Sequence, residues 1–420
     1  MNHFMYLFSI HNETIVNFMW RAVYVGWKQG STFVIFLTTA KYLPVQDFGI
    51  YSYIMAAVMI ASLLGDFGIS TAVSKYTSEY FETEKSKLPE LISSCVQIML
   101  VFCIVVATFF FFFTKIAMEA YSSLIPYVIP LLILIPTVAL FDGFFRGQKL
   151  FRELGRLALI SGTISILGAF VFLHFFGLIG ALIAQNIFYI VALSLFVFKT
   201  KFIFSNFNFK LARDVLSYSL LVGLVSVGYY LFTGVNILIL GYFGYIEQLA
   251  TYELLTKLFI VLVVPFAILA QVLAPNLTIM ASRKEYSRLY EKVKKYTAFS
   301  LILALVLGIS AYNCVPPLVI FLFPQYQEDM LLSILPLAIG IFMVDIVADR
   351  GIAIPIGYAS MMARLYLIAA IINVPACILA VKHFGYLGGL TTTLACVLVV
   401  TILLRIKVLL RLRCEARLLV

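Results

Sequence analysis

Long apolar runs, separated by short polar segments, make up most of the chain. The runs at residues 88–113, 157–176 and 297–323 approach or exceed the roughly 20 residues that a helix needs to cross a bilayer. A membrane-spanning strand would instead alternate apolar and polar side chains over about ten residues, and these runs are continuously apolar. We therefore predict helices at residues 17–40, 49–74, 89–113, 122–144, 157–175, 178–198, 214–242, 248–274, 296–322, 330–349, 364–381 and 386–405.

The composition agrees with a lipid surrounding. Hydrophobic residues make up 63% of the chain and charged residues only 12%, whereas a soluble domain carries about 25% charged residues. A chain of 420 residues with so few charges cannot cover a large core with a polar surface. The sequence thus predicts an all-α membrane protein with about twelve transmembrane helices.

Positive charge is concentrated in every second predicted loop. With the N-terminus placed inside and the loops assigned alternately, 24 of the 30 Lys and Arg residues fall inside and three fall outside. The remaining three, Arg21, Lys28 and Lys257, lie within predicted spans. Because cytoplasmic loops carry the excess of Lys and Arg, we predict that both termini are cytoplasmic. The net charge of +10 then reflects topology and does not indicate a nucleic-acid partner.

The two halves of the chain show weak internal similarity. Residues 177–182 (GLIGAL) align with residues 385–390 (GYLGGL), and Asp142 falls near Asp349 at a similar offset. With six helices in each half, both halves would start on the same side of the membrane. Such a parallel repeat occurs in several transporters. We predict two six-helix lobes, residues 1–205 and 206–420, with a substrate held between them.

Two segments carry a resemblance to a known family. Residues 41–76 (KYLPVQDFGIYSYIMAAVMIASLLGDFGISTAVSKY) and residues 237–259 (ILILGYFGYIEQLATYELLTKLF) resemble the bacterial O-antigen and capsular polysaccharide flippases of the multidrug/oligosaccharidyl-lipid/polysaccharide (MOP) exporter superfamily. The resemblance implies two lobes that face each other in a V around a central cavity. It also implies an inner-membrane location and transport of polyprenyl-pyrophosphate-linked oligosaccharide from the inner to the outer leaflet by alternating access.

Cations inside the spans are candidates for binding this substrate. A charge at the bilayer centre costs about 2.5–3.5 kcal/mol on insertion scales, so Arg21, Lys28 and Lys257 should face water or a partner. Arg21 and Lys28 are seven residues apart and project from nearly one face of a helix, which Tyr24 shares. We predict that these three cations bind the pyrophosphate and that Tyr24 and Asn236 contact sugar.

Structural alternatives to this cationic site stay open. Arg21 is also placed to extend its guanidinium to the inner interface. Lys257 follows Glu253 by four residues, the favourable order for an intrahelical ion pair. Helix-end packing and loop hydrogen bonds are the structural interpretation of Asp66, and interfacial ion pairs with the adjacent arginines are that of Asp142 and Asp349. Together with Glu253, these acids and arginines are also candidates for an inner gate or for coupling to H⁺ or Na⁺. This set comprises Asp66, Asp142, Arg146, Glu253, Asp349 and Arg350.

Other classes of function fit the sequence less well. A cation-coupled multidrug exporter of the same superfamily is the main alternative, but its cavity would favour acids and aromatic residues over cations. A membrane enzyme would need catalytic residues outside the membrane, where the predicted loops are short. We expect no metal site, no cofactor and no catalytic residues. Membrane lipids and, by family analogy, a polysaccharide polymerase are the expected partners.

Overall fold

The computed structural model describes residues 2–201, 204–205, 207–326 and 351–417, and the regular structure in these ranges is helical, with no strands. The helices are α1 (Asn2–Tyr42), α2 (Val45–Asp66), α3 (Ile69–Thr83), α4 (Leu88–Ala117), α5 (Leu131–Gly147), α6 (Phe151–Thr200), α7 (Phe209–Thr233), α8 (Val235–Tyr242), α9 (Ile246–Ser282), α10 (Tyr286–Leu322) and α11 (Ala359–Arg417). Short 3₁₀ helices cover Lys85–Lys87, Glu119–Tyr127 and Pro324–Tyr326.

Several of these helices can cross a membrane. Within the described ranges, six helices are long and apolar enough, or seven if the 3₁₀ helix before α5 and α5 itself count as one span bent by 47°. α6 contains 50 residues and would extend for about 75 Å as one straight helix, far beyond the roughly 30 Å of the hydrocarbon core. α6 therefore provides two spans, and so does α11 with its 59 residues.

A glycine divides each of these two long helices. Gly177 in α6 has φ 52° and ψ −125°, and Gly385 in α11 has φ 63° and ψ −153°. Residues with a β carbon rarely adopt this conformation. Three residues after each glycine, the backbone lies against the carbonyl group of a residue eight positions earlier (Gly180 against Phe172, Gly388 against Ala380). The chain therefore reverses direction at each glycine, and the two positions are those that the internal similarity aligns.

Among the predicted spans that the structure describes, three differ from the observed helices; the span predicted at residues 330–349 lies outside the described residues. The span predicted at residues 49–74 ends at Asp66, because Phe67 and Gly68 adopt positive φ values of 39° and 82° and α3 begins after them. The span predicted at residues 122–144 starts as a 3₁₀ helix and continues as α5. The span predicted at residues 214–242 is interrupted at Gly234, between α7 and α8.

The chain divides into two compact units. The N-terminal unit contains residues 1–43 and 54–227, and the C-terminal unit contains residues 44–53 and 228–420. This division assigns the start of α2 to the C-terminal unit. The predicted lobes, 1–205 and 206–420, remain a prediction about the six-helix repeat.

In the N-terminal unit, the contact between α1 and α6 sets the rotation of α1. An added β carbon at Gly155 would lie 2.6 Å from the ring of Trp20, and one at Gly162 would lie 2.8 Å from the ring of Trp27. The two tryptophans are seven residues apart and so are the two glycines, so that each ring packs against a residue without a side chain. Because Trp20 and Trp27 pack against α6, the face of α1 that carries Lys28 points towards α5.

Two glycines bring α5 against α3. A β carbon at Gly143 would overlap the carbonyl oxygen of Ser70, and one at Gly147 would lie 2.6 Å from Cβ of Thr77. Small residues spaced by four allow this close backbone approach between membrane helices. Asp142 and Arg146 each precede one of the glycines, so this contact fixes their position beside α1.

Candidate functional site

Asp142 of α5 connects two helices through its carboxylate. Its Oδ2 lies 3.8 Å from Nζ of Lys28 on α1, and its side chain is 12% exposed. Its Oδ1 lies 3.5 Å from Nε of Arg146, one turn further along α5. Oδ1 and Nε of Arg146 make no hydrogen bond, so this second pair is held by charge alone.

Tyr24 contacts both Arg21 and Lys28 of α1 as well as the carboxylate of Asp142. Lys28 Nζ donates a hydrogen bond of 3.1 Å to the Tyr24 hydroxyl. The guanidinium of Arg21 lies 5.1 Å from the centroid of the Tyr24 ring, within the range of a cation–π interaction. The Tyr24 side chain is buried and also interacts with Asp142. Arg21, Tyr24, Lys28, Asp142 and Arg146 thus form one group, which we call the cationic cluster.

The cationic cluster has more positive than negative charge. It contains three cations and one carboxylate, and of these cations only Lys28 and Arg146 contact that carboxylate. Arg21 Nη1 is buried and makes no hydrogen bond, although buried polar groups are nearly always paired. About a third of the side chains of Lys28 and Arg146 is exposed, at 35% and 32%. The cluster therefore has both an unpaired donor and a solvent-accessible side.

Little space is present behind the cluster. A cavity beside Tyr24 and Lys28 has a volume of about 20 Å³ and is otherwise lined mainly by apolar residues of α5 and α6. This volume holds about one water molecule and is too small for a pyrophosphate. A ligand would therefore reach the cations from outside this cavity, where Arg21, Lys28 and Arg146 are each partly exposed.

Asp66 is engaged mainly with its own turn. Its two oxygens accept hydrogen bonds of 2.9 Å from the backbone N–H and from the hydroxyl of Ser70. Gly68 N–H also interacts with the carboxylate, and Arg146 is close enough for an electrostatic interaction. Asp66 thus stabilises the first turn of α3, where backbone N–H groups lack helical partners. When Asp66 is counted together with the cluster, three cations face two carboxylates, and the net charge is still +1.

The C-terminal unit holds the other candidate residues. Glu253 of α9 is 8% exposed and interacts electrostatically with Lys257, but these two described residues form no ion pair within 4.0 Å. The spacing of four residues therefore does not produce the intrahelical ion pair that the sequence allowed. Asn236 of α8 is fully buried beside the Tyr252 hydroxyl. Asp349 and Arg350 lie outside the described residues.

The sequence missed the link between Lys28 and Asp142. It placed Arg21, Tyr24 and Lys28 on one face of α1 and Arg146 beside Asp142, and the structure brings the two sets together. The missed signal was Asp142 itself, because a carboxylate inside an apolar span needs a cationic partner. No group of three or more His, Cys, Asp or Glu side chains arranged to hold a metal occurs in the described part of the chain.

Solved structures share this fold. An inward-facing multidrug resistance MATE family transporter of the MOP superfamily superposes with a TM-score of 0.73 at 12% identity, covering 94% of this chain and 96% of its own. The lipid II flippase MurJ, in an inward closed conformation, superposes with a TM-score of 0.71 at 15% identity, covering 93% and 89%. A MOP superfamily transporter from Pyrococcus furiosus gives a TM-score of 0.61 at 13% identity, covering 95% of both chains.

The sequence comparison gives the family. No curated protein matches the chain in sequence. The family described as polysaccharide biosynthesis protein matches residues 15–281, which is more than half of the chain, and the chain belongs to this family. The chain is thus an all-α, multi-pass membrane protein of this family with about twelve transmembrane helices, and it shares the fold of MOP superfamily transporters. This confirms the fold class and the family resemblance predicted from the sequence.

Proposed function

We propose that the protein flips polyprenyl-pyrophosphate-linked oligosaccharide from the inner to the outer leaflet of the bacterial cytoplasmic membrane, for the synthesis of O-antigen or capsule. The family supports a role in polysaccharide synthesis. The likeness to a lipid II flippase supports a lipid-linked substrate. Alternating access between two lobes is the transport mode that we expect, and the excess of Lys and Arg in alternate predicted loops supports cytoplasmic termini.

The single observation that carries this proposal is the excess positive charge of the cationic cluster, with the unpaired Nη1 of Arg21. A pyrophosphate diester brings about two negative charges and several acceptor oxygens. Charge-assisted hydrogen bonds from a guanidinium to phosphate are short and strong, and a guanidinium can bind two oxygens at once. Arg21 and Arg146 are thus the proposed pyrophosphate ligands, with Lys28 beside them.

Asp142 has a different proposed role. Without substrate it compensates Lys28 and Arg146 at 3.8 and 3.5 Å, which keeps two cations close together at low cost. An arriving phosphate would compete with this carboxylate for both cations. Such competition limits the affinity, so that the substrate can leave on the far side.

The remaining candidate residues keep the roles predicted from the sequence. Lys257 and Asn236 are proposed substrate contacts of the C-terminal unit. Asp66, Glu253, Asp349 and Arg350 are proposed gate or coupling residues, with H⁺ or Na⁺ as the coupling ion. A polysaccharide polymerase is the proposed protein partner, because it consumes the flipped product.

Deleting the gene in its own host, in a background without a second flippase, tests this function. We expect loss of the surface polysaccharide and accumulation of lipid-linked repeat units in the inner leaflet. Wild type should restore the polysaccharide, Arg21→Gln should restore it poorly at equal expression, and the exposed-cation control Lys115→Gln should restore it fully. Normal polysaccharide in the deletion strain, together with increased sensitivity to organic cations, would instead support the multidrug exporter that the MATE-like fold keeps as the second candidate.

A further inference from the structure

A second basic site lies at one end of the N-terminal unit. Its cavity has a volume of about 700 Å³, within the range of small-molecule sites. It is formed by the start of α4, the end of α5, and both ends of α6. Because Gly177 reverses the direction of α6, its two ends lie at the same membrane face. The cavity is therefore at the level of the lipid head groups, on the side that the charge distribution makes cytoplasmic.

The rim of this cavity is cationic. Lys85, Lys199 and Lys201 line it together with one acid, Glu153, and all three lysines are exposed. Glu153 already binds Lys199 at 3.0 Å and Arg156 at 3.5 Å. Neither Lys85 nor Lys201 forms an ion pair with a described residue, so the rim has positive charge without a counter-ion.

The floor of the cavity is apolar. Leu88, Ile92, Phe144 and Phe145 line it, and each of them is at most 8% exposed. The ammonium of Lys85 lies 4.4 Å from the centroid of the Phe81 ring, which holds this cation at the rim. An apolar floor beneath unpaired ammonium groups fits an amphiphile with a phosphate head group. A small soluble anion would leave the apolar floor in contact with water.

We propose that this basic pocket binds the phosphodiester head group of an anionic phospholipid, with the adjoining part of the acyl chains against the apolar floor. Basic pockets between transmembrane helices on the cytoplasmic side suit such head groups. The surrounding leaflet supplies phospholipid at high local concentration, which favours it over a scarce lipid-linked intermediate. The pocket is distinct from the cationic cluster, so this proposal is independent of the transported substrate.

Binding of lipids to the purified full-length protein in neutral detergent tests the proposal. We would compare acyl-labelled phosphatidylglycerol with phosphatidylcholine of the same chains, for wild type and for Lys85→Gln/Lys201→Gln. Each cation near a lipid surface contributes about 1 kcal/mol, so we expect at least about tenfold weaker phosphatidylglycerol binding by the double variant. Lys210→Gln/Arg213→Gln removes the same charge from exposed positions outside the pocket and should change binding by less than about twofold.

Further variants and competing ligands in the same binding experiment test for a general charge effect and for a different ligand. Lys85→Arg/Lys201→Arg should restore phosphatidylglycerol binding, and all variants should unfold at the same temperature without lipid. Equal binding of phosphatidylcholine, or an equal loss in Lys210→Gln/Arg213→Gln, would overturn the proposal. Displacement of the labelled lipid by millimolar inorganic phosphate would assign the pocket to a soluble anion, and preferential binding of polyprenyl pyrophosphate would assign it to transport; either result contradicts the proposal.

Discussion

In the N-terminal unit, the buried carboxylate of Asp142 lies between two cations on two different helices. In the C-terminal unit, the buried carboxylate of Glu253 has Lys257 one turn further along the same helix, without an ion pair. The backbone behaves differently, because Gly177 and Gly385 adopt closely similar positive-φ conformations at aligned positions. Both units therefore contain a chain reversal at aligned glycines, whereas these two buried carboxylates, which are not aligned with each other in the repeat, differ in their pairing.

This difference suggests how one fold serves several substrates. The overall fold is shared with MATE and MurJ transporters, and the chain reversals at the two glycines are part of this fold in the present chain. The cationic cluster depends instead on side chains of α1 and α5 in the N-terminal unit. Substitutions of the glycines beside the two reversals should thus act equally in both units, whereas neutralising Asp142 should have a larger effect than neutralising Glu253.

The largest effect is expected for Asp142→Asn, which leaves Lys28 and Arg146 without their shared counter-ion. Removing one partner of a buried ion pair costs about 3–5 kcal/mol, and we expect a loss of unfolding free energy at the lower end of this range. Unfolding in detergent, followed by denaturant titration, measures it. Lys28→Gln added to Asp142→Asn should recover part of the loss, and additive effects of the two changes would contradict the proposed pairing.

A smaller loss is expected for Gly180→Ala in α6. The added β carbon would overlap the carbonyl oxygen of Phe172, and overpacking of this kind costs about 1–3 kcal/mol. Gly388→Ala should cost a similar amount, since its β carbon would overlap the carbonyl oxygen of Ala380. Gly308→Ala is the control, because nothing lies within 4 Å of the new β carbon; it should be neutral or slightly stabilising. A loss in only one unit would show that the two reversals are not equivalent.

Arg21→Gln should weaken binding of polyprenyl pyrophosphate about tenfold, because a charge-assisted hydrogen bond contributes about 1.5–3 kcal/mol. Stability should change little, since Arg21 forms no ion pair with a described residue. Arg21→Lys should give an intermediate affinity, because lysine keeps the charge but loses the planar fork of donors. Titration of the purified protein with the lipid measures all three affinities. Equal affinities would remove Arg21 from the site.

The smallest effect is expected for Glu253→Gln. Because Glu253 lacks an ion pair with Lys257, neutralising it leaves no cation newly unpaired. We expect a change in unfolding free energy of at most about 1 kcal/mol, as for substitutions away from a buried network. The same denaturant titration compares it with Asp142→Asn. A loss as large as that of Asp142→Asn would remove the distinction between the two units.

Local patterns predicted much of the fold. Apolar runs indicated most spans, and the aligned glycines marked the two chain reversals. The same patterns misplaced the end of α2, because the apolar run continues past Asp66 while Phe67 and Gly68 turn the backbone. A hydropathy pattern contains no information about such a turn inside an apolar segment.

The candidate site was only partly predictable for a similar reason. Helical spacing places Arg21 and Lys28 on one face of α1, and that information is local. The contact between Lys28 and Asp142 depends on how α1 rotates against α6 through Trp20 and Trp27, which a single sequence does not reveal. The Glu253–Lys257 ion pair, which the sequence left open as a structural alternative, does not form, because the spacing permits a contact without determining the side-chain directions.

Translocation by the reconstituted protein tests the central claim most directly. Proteoliposomes would contain an oligosaccharide linked to polyprenyl pyrophosphate or the same oligosaccharide on an uncharged polyprenyl carrier, and accessibility of the sugar in each leaflet would be followed over time. We predict that wild type flips the pyrophosphate-linked form and discriminates against the uncharged one, and that Arg21→Gln loses most of this discrimination. Equal rates for both lipids with wild type would contradict the account, because the cationic cluster would then not recognise the pyrophosphate.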